Sequence, residues 1–139
     1  MQNRTTNVFE KLAPSAINVV IVLILSVPAL IIWGFGLEWK LTITVIFFFY
    51  NLAVALFNDN RCLGMIIMKT HWQKDFNPVQ KLVYISLYTL SFSTIFFWII
   101  FPFDLLLVNL LLVQLPLVLT KETTLHGYLS GNHKTIKIV

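Results

Sequence analysis

Four long apolar stretches with almost no charge dominate this chain and decide what it can fold into. They run approximately over residues 16–36, 41–57, 82–101 and 105–119. An α-helix needs about 20 apolar residues to cross roughly 30 Å of hydrocarbon. Backbone polar groups in lipid are satisfied only within helices or closed barrels. The stretches therefore predict an all-α membrane protein with four transmembrane helices.

The composition excludes a water-soluble globule. Hydrophobic residues make up 58% of the 139 residues and charged residues only 12%, so polar side chains are too few to cover the surface. No connection between the stretches is long enough for a separate soluble domain, so residues 1–139 are expected to form a single transmembrane domain. The first stretch is longer than the roughly 7–15 apolar residues of a signal peptide, and we expect it to remain as an anchor.

The basic residues indicate how the spans are oriented. If the chain crosses four times, nine of the ten Lys and Arg residues lie on one side of the membrane, and only Lys40 lies on the other. Cytoplasmic connections carry most Lys and Arg. Both termini and the loop of residues 58–81 are therefore expected to face the cytoplasm of a multi-pass protein in the cell membrane. Short turns between the spans predict two antiparallel hairpins, and basic residues beside spans favour anionic headgroups over nucleic acid as their partner.

The middle loop is the only sizeable connection between spans. Its first part, Cys62–Met68, is apolar and is followed by Lys69 and Trp72. This segment is too short to span. It either lies in the headgroup layer as an amphipathic helix or forms a strand against Thr135–Val139, whose residues alternate. Cys62 is the only cysteine and is expected to be a packed or interfacial thiol.

Three short motifs follow one another along the chain. The first is Lys11-Leu-Ala-Pro-Ser-Ala-Ile-Asn18, the second is Cys62-Leu63-Gly64-Met65, and the third is Thr124-Leu125-His126-Gly127-Tyr128-Leu129-Ser130-Gly131, followed by a β-like ending. In order and spacing the set resembles the RDD family of bacterial membrane proteins. That family has an Arg and an Asp seven residues apart, then Thr-Leu-Gly-Lys, then Thr-Leu-His-Asp-x-Leu-x-Gly.

The resemblance implies a choice between two kinds of role. Some members of the family are associated with sodium/proton exchange, and others with assembly or quality-control complexes. In this chain Lys11 replaces the Arg, Asn18 and Gly127 replace the two Asp residues, and Met65 replaces the Lys. The family's Arg–Asp pair would be charged. Lys11 and Asn18, about 10 Å apart along one helix face, make a pair that is only polar, and we expect it to be structural.

Few polar side chains lie inside the spans, and none of them titrates near neutral pH. The four stretches contain no Asp, Glu, Lys, Arg or His. Ion-coupled antiport generally needs an ionisable group there, so exchange by a single chain is not expected. Asn18, Asn51, Asn109 and Gln114 are expected to hydrogen-bond between helices. Because Asn109 and Gln114 are five residues apart, they are not expected to share a narrow stripe of an α-helix, which argues against a pore wall.

The sequence contains no catalytic or cofactor motif. HExxH, GxSxG, P-loop and CxxC patterns are absent, and the Cys and His residues match no zinc spacing. The chain is therefore expected to be no enzyme, to need no cofactor or metal, and to act as an accessory subunit among lipid and other membrane proteins. Its partner or structural polar contacts are expected at Lys11, Asn18, Gly64, Asn109, Gln114 and His126. The alternative is a homo-oligomeric transporter or channel component for an ion or small solute.

Overall fold

The chain is mainly helical and carries one small β-sheet. The computed structural model describes residues 2–138, and 66% of these residues are helical. Val139, the last residue of the predicted tail strand, lies outside the described residues, as does Met1. The elements in order are β1 (Asn3–Thr5), α1 (Val8–Leu25), α2 (Val27–Trp33), α3 (Leu37–Phe57), α4 (Leu63–Ile67), β2 (Thr70–Trp72), α5 (Pro78–Ser93), α6 (Asp104–Val108), a π-helical segment (Asn109–Gln114), α7 (Leu115–Lys121), α8 (Leu125–Leu129) and β3 (Thr135–Ile138).

Within residues 2–138, three helices are long and apolar enough to cross a membrane. They are α1, α3 and the continuous helix Asp104–Lys121, which consists of α6, the π-helical segment and α7. The remaining predicted span, residues 82–101, is only partly helical, because α5 ends at Ser93 after 16 residues. At this end Ser93 Oγ donates to the Leu90 carbonyl and Thr94 Oγ1 to the Ser91 carbonyl, each at 2.6 Å. Such local side-chain bonds compete with the helical ladder.

The first apolar stretch differs from its predicted bounds at both ends. Helix α1 begins at Val8 because Asn7 and Glu10 form a capping box. It ends at Leu25, and the N–H of the next residue, Ser26, donates to the carbonyls of Val22 and Leu23. Pro28 lies in the first turn of α2. Proline is tolerated in a first turn but lacks the N–H that a continuous helix would use. The predicted span began at residue 16, after the charged residues Glu10 and Lys11. In the structure both of these residues belong to α1.

The hydrophobic core lies between α1, α3 and α5 and is rich in aromatic rings. Val22, Ile43 and Phe47 are fully buried. The rings of Phe47 and Phe92 stack with centroids 3.9 Å apart, and Tyr88 meets Phe47 edge-on at 4.9 Å. Aromatic pairs add to the burial of apolar area, so this cluster fixes the three helices against one another.

A three-stranded antiparallel sheet joins distant parts of the sequence, in the order β1-β3-β2. Lys137 of β3 lies opposite Arg4 of β1 and Thr70 of β2. The strand alternative for the apolar segment Cys62–Met68 is wrong, because Leu63–Ile67 within it forms the helix α4. The strand that pairs with the tail is β2, which begins at Thr70.

Candidate functional site

Asn18 is the centre of a hydrogen-bond network between helices. Its side chain is fully buried. Its Oδ1 accepts from the Tyr50 hydroxyl of α3 at 3.0 Å and from the Gly64 N–H of α4 at 3.3 Å. Its Nδ2 donates to the Tyr88 hydroxyl of α5 at 3.2 Å, and that hydroxyl donates to Ser15 Oγ at 2.8 Å. One amide thus ties α1 to three other helices.

Gly64 allows α4 to lie directly against α1. A Cβ atom at this position would lie 2.2 Å from the carbonyl oxygen of Pro14 and 2.6 Å from its Cα. Both are backbone atoms of a helix, so they have little freedom to move away in a close-packed interior. The same close approach brings the Gly64 N–H to Asn18, so the first and second motifs meet here.

Lys11 and Asn18 have different partners. The Lys11 ammonium donates to the carbonyl oxygen of Thr6 and, at 2.9 Å, to its hydroxyl. These bonds hold the start of α1 to the segment that follows β1. The two residues lie on one face, as their spacing predicts, but the structure assigns one to the helix end and the other to the helix interior.

Glu10 is a site residue that the sequence interpretation missed. Its buried carboxylate accepts two hydrogen bonds from the guanidinium of Arg4, at 2.7 and 2.8 Å, and lies 3.3 Å from the Lys137 ammonium. It also accepts from the Asn7 N–H at 3.0 Å. Glu10 therefore joins β1, α1 and β3. The Asn-x-x-Glu spacing is the capping signal that would have pointed to it.

His126 lies buried between two tyrosines of α5. Its ring stacks on Tyr88 with centroids 4.5 Å apart and meets Tyr84 at 4.9 Å. Burial lowers the pKa of His126 to about 3, so its imidazole is uncharged at neutral pH. Among the described residues its Nδ1 has no hydrogen-bond partner. The histidine of the third motif thus packs α8 against α5.

Gly127, in the third motif, lies in a position with no room for a side chain. A Cβ atom here would lie 2.3 Å from Thr123 Oγ1 and 2.9 Å from the carbonyl oxygen of His133. Thr123 Oγ1 itself donates to that carbonyl at 2.6 Å. A side chain of any kind at this position would require the α8 region to rearrange, so local packing favours glycine here.

Asn109 and Gln114 form a second polar cluster, which corrects the expectation that they do not share a stripe. The segment between them is π-helical, and the backbone hydrogen bonds of a π-helix join residues five apart. Gln114 Nε2 donates to Asn109 Oδ1 at 3.2 Å, and Asn109 Nδ2 donates to Ser91 Oγ of α5 at 2.7 Å. Gln114 Oε1 accepts from the Leu125 N–H at 3.0 Å. The cluster links the Asp104–Lys121 helix to α5 and α8.

A cavity of about 40 Å³ lies where the three motifs meet, and Lys11, Cys62, Met65, Thr124 and His126 are among the residues that line it. It has room for ordered water. Burial raises the pKa of the Cys62 thiol, which disfavours the nucleophilic thiolate. Over residues 2–138, no three His, Cys, Asp or Glu side chains are grouped to hold a metal ion. The arrangement is suited to packing and hydrogen bonding.

The six residues singled out from the sequence fall into two groups. Asn18 and Gly64 are hydrogen-bonded, and Lys11 and His126 line the cavity beside them. Asn109 and Gln114 form the separate cluster on Ser91. No protein-family model, curated protein or solved structure matches this chain.

Proposed function

We propose that this protein is a non-catalytic accessory subunit of a membrane protein complex. The proposal rests on one observation: only a small fraction of each long helix is buried against the rest of the chain. Over their most apolar windows, 22% of α1, 22% of α3 and 17% of the Asp104–Lys121 helix is buried. The uncovered faces carry large apolar side chains such as Phe57 of α3 (88% exposed) and Leu112 of the Asp104–Lys121 helix (71% exposed). Extended apolar surface of this kind suits lipid and partner helices.

The polar interior supports the same role. The side chains of Asn18, Tyr50, Tyr88 and Ser15 bond to one another, and the Asn109 cluster bonds within itself and to α5 and α8. Intramembrane ionisable groups usually mark ion and proton pathways. Glu10, in the first turn of α1, is held by Arg4 and Lys137. Networks of satisfied amides and hydroxyls favour a fixed scaffold.

We also propose four crossings in two antiparallel hairpins, with both terminal segments at the cytoplasmic face. The sheet supports this, because β1, β2 and β3 bring both ends of the chain and the middle loop together. Lys40, the one basic residue expected on the far side, lies over the ring of Trp98 at 4.8 Å, beyond the end of α5. The 16 residues of α5 rise about 24 Å, and the apolar residues after Ser93 extend that path.

The further proposal that the chain is a divergent RDD protein is supported by where its motifs meet. The first and second motifs touch through Asn18 and Gly64, and the third contributes His126 to the same cavity. Segments more than 100 residues apart in sequence thus share one site. Of the two roles associated with that family, assembly fits this chain better than ion exchange, because neither Asn18 nor Gly127 can carry the charge of an Asp.

Partner capture from the native membrane tests the accessory role. A photo-crosslinking amino acid placed at the exposed Phe57 is expected to yield one discrete protein adduct, and the partner is expected to co-purify in mild detergent. The matched control is the same amino acid at Ile43, which is fully buried in the same helix and should give no protein adduct. A chain that always migrates alone, with only lipid adducts at Phe57, would contradict the proposal.

One observation favours the second candidate, a homo-oligomeric transporter. The π-helical segment Asn109–Gln114 places two amides on one helix face, and π-helical turns are frequent at functional sites. Vesicles reconstituted with the purified chain would show cation or small-solute flux that is lost on Gln114→Leu and kept on the control Leu112→Val. Absence of flux across a panel of cations and protons rejects this candidate and leaves the accessory role.

A further inference from the structure

The helices α1, α3, α5 and Asp104–Lys121 all change from an apolar to a polar exposed surface on the side of the molecule where the sheet lies. The outermost large apolar side chains on that side are 65–88% exposed: Phe9, Phe57, Val79 and Leu119. Exposed polar residues follow within two positions of each: Asn7, Asn58, Asn77 and Lys121. Bilayer hydrocarbon favours apolar side chains and disfavours amides and charges. In the proposed topology this boundary is therefore where the hydrocarbon ends.

The connection from α3 to β2 leaves this boundary and returns to it. Residues 60–72 form a loop, here named the α4 loop, whose base is closed by two hydrogen bonds. Arg61 Nε donates to the Thr70 carbonyl at 3.0 Å, and Trp72 Nε1 donates to the Asn60 carbonyl at 2.7 Å. Thr70 and Trp72 belong to β2, so the loop is fastened at the level of the sheet.

The tip of the α4 loop lies on the apolar side of the boundary. A Cβ atom at Gly64 would lie 2.2 Å from the Pro14 carbonyl oxygen, so Gly64 is at the level of Pro14. Pro14 is five residues further along α1 than Phe9, a rise of about 7.5 Å. The Gly64 N–H reaches still further, to Asn18 Oδ1. The chain thus enters the region that the exposed apolar side chains define and turns back within it.

The α4 loop is suited to apolar surroundings. Its segment Cys62–Met68 has no polar side chain apart from the thiol of Cys62, which is buried. A backbone inside hydrocarbon must satisfy its own polar groups. Within α4 the Ile66 N–H donates to the Cys62 carbonyl at 3.1 Å. The Gly64 N–H lies in the first turn, where a helix offers no partner, and it is satisfied by Asn18 instead.

The outer face of α4 is apolar and short. Leu63, Ile66 and Ile67 are 45%, 40% and 62% exposed. The five residues of α4 rise about 7.5 Å, so a partner helix would find little more than one turn to pack against, whereas acyl chains can cover a face of any length. Lys69 is exposed and directly precedes β2. In the proposed orientation it lies at the level of the cytoplasmic headgroups, whose phosphates carry the opposite charge.

We propose that the α4 loop is re-entrant. It dips into the cytoplasmic leaflet and packs Leu63, Ile66 and Ile67 against lipid acyl chains, with Lys69 at the lipid phosphates. The inference rests on the membrane topology proposed above. It gives Asn18 and Gly64 a joint role, because the glycine lets the loop approach α1 and the amide satisfies the backbone at the tip.

Spin labelling of the full chain in liposomes of phosphatidylethanolamine and phosphatidylglycerol tests the depth of the loop. In a Cys62→Ala background a nitroxide is attached at Ile67→Cys, and electron paramagnetic resonance measures its collisions with oxygen and with a water-soluble nickel chelate. Oxygen concentrates in hydrocarbon, and the chelate is excluded from it. The ratio of oxygen to chelate collisions is expected to match that at Val20→Cys, an exposed site within α1. It is expected to exceed severalfold the ratio at Lys69→Cys, only two residues away.

The reference sites separate failure of this proposal from failure of the topology. A ratio at Ile67→Cys as low as that at Lys69→Cys, with Val20→Cys still in hydrocarbon, overturns the re-entrant loop and leaves the topology standing. Chelate access at Val20→Cys as well would reject the membrane topology itself. Few collisions with either reagent at Ile67→Cys would mean that protein covers the α4 face, which also overturns the proposal. If Ile67→Cys fails to fold, Leu63→Cys on the same face takes its place.

Discussion

Two buried asparagines show how much the surroundings decide what a residue does. Asn18 and Asn51 both lie inside long apolar helices and are almost fully buried. Asn18 bonds to three other helices, whereas Asn51 Nδ2 donates to the Phe47 carbonyl of its own helix at 2.9 Å. A hydrogen bond between helices in a membrane contributes about 0.6–1.7 kcal/mol. Asn18 therefore stabilises the tertiary structure far more than Asn51.

Replacing these two asparagines separates their contributions. Asn18→Leu removes three bonds to neighbouring helices and is expected to lower the free energy of unfolding by about 2–4 kcal/mol. The matched control Asn51→Leu is expected to cost less than about 1 kcal/mol. Equilibrium unfolding with SDS in mixed micelles measures both. Equal losses for the two variants would show that Asn18 does not act through its cross-helix bonds.

His126 makes stability depend on pH. Its pKa is about 3 in the folded chain, against about 6.5 when unfolded. Between these values only the unfolded chain takes up the proton, so the free energy of unfolding falls as the pH falls. From about pH 8 to pH 5 this residue accounts for a loss of about 2 kcal/mol. His126→Phe keeps a ring against Tyr88 and removes the titration, so unfolding in detergent should vary less with pH.

The contribution of His133 acts in the same direction, because burial also lowers its pKa. It is present in both the wild type and the His126 variant and cancels in the comparison. Identical pH dependence of the two proteins would mean that His126 is hydrated in the folded state.

At the scale of helices and strands, the length of an apolar stretch predicted where the long helices lie. It did not predict where each helix begins and ends, because local polar contacts determine the ends. The apolar stretches correctly located α1, α3 and the Asp104–Lys121 helix. The start of α1 was missed because its first turn carries Glu10 and Lys11. Glu10 is paired with Arg4 and Lys137, and Lys11 donates to Thr6. The end of α5 depends on Ser93 and Thr94 bonding to the backbone, which apolar counting ignores.

The candidate site was also predicted only in part, because residue type and spacing do not reveal local backbone geometry. Asn18, Gly64 and His126 were singled out by type and spacing, and the structure brings their segments together. The pairing of Asn109 with Gln114 was not foreseen, because a period of 3.6 residues was assumed where the backbone is π-helical. Sequence spacing predicts a shared face only when the helix type is known.

A double-mutant cycle on Asn109 and Gln114 tests the π-helical segment. In an α-helix, side chains five residues apart point in different directions and their replacements should be additive. The 3.2 Å bond between them instead predicts a coupling free energy of about 0.5–2 kcal/mol between Asn109→Leu and Gln114→Leu. The pair Asn51 and Gln114, in different helices, is the additive control. Strict additivity for both pairs would mean that the segment is an ordinary α-helix.

At the scale of the whole molecule, the sheet brings the two ends of the chain together. Arg4 in β1 lies opposite Lys137 in β3, and Phe35 lies near Trp98 beyond the end of α5, with ring centroids 6.3 Å apart. If the helices cross a bilayer, residues beside the sheet face one compartment and the Phe35 turn faces the other. The proposed orientation rests on where Lys and Arg concentrate.

Labelling with an impermeant maleimide tests this arrangement. In a Cys62→Ala background, Asn3→Cys and Asn132→Cys are expected to react from the cytoplasmic side only, because both positions are exposed near the sheet. Phe35→Cys, 58% exposed in the parent chain, is expected to react from the opposite side. Inside-out and right-side-out vesicles provide the two orientations. Labelling of Asn3→Cys and Asn132→Cys from different sides would require an odd number of crossings.

The strand order has a consequence for biogenesis. β3 is the central strand, and both of its neighbours are synthesised before it. While the ribosome still holds Thr135–Ile138, β1 and β2 have open edges, and Glu10 has yet to meet Lys137. The sheet that joins the helix ends can therefore form only after all of the described helices have been synthesised. Until β3 emerges, β1 and β2 present unpaired edges of the kind to which another strand can add.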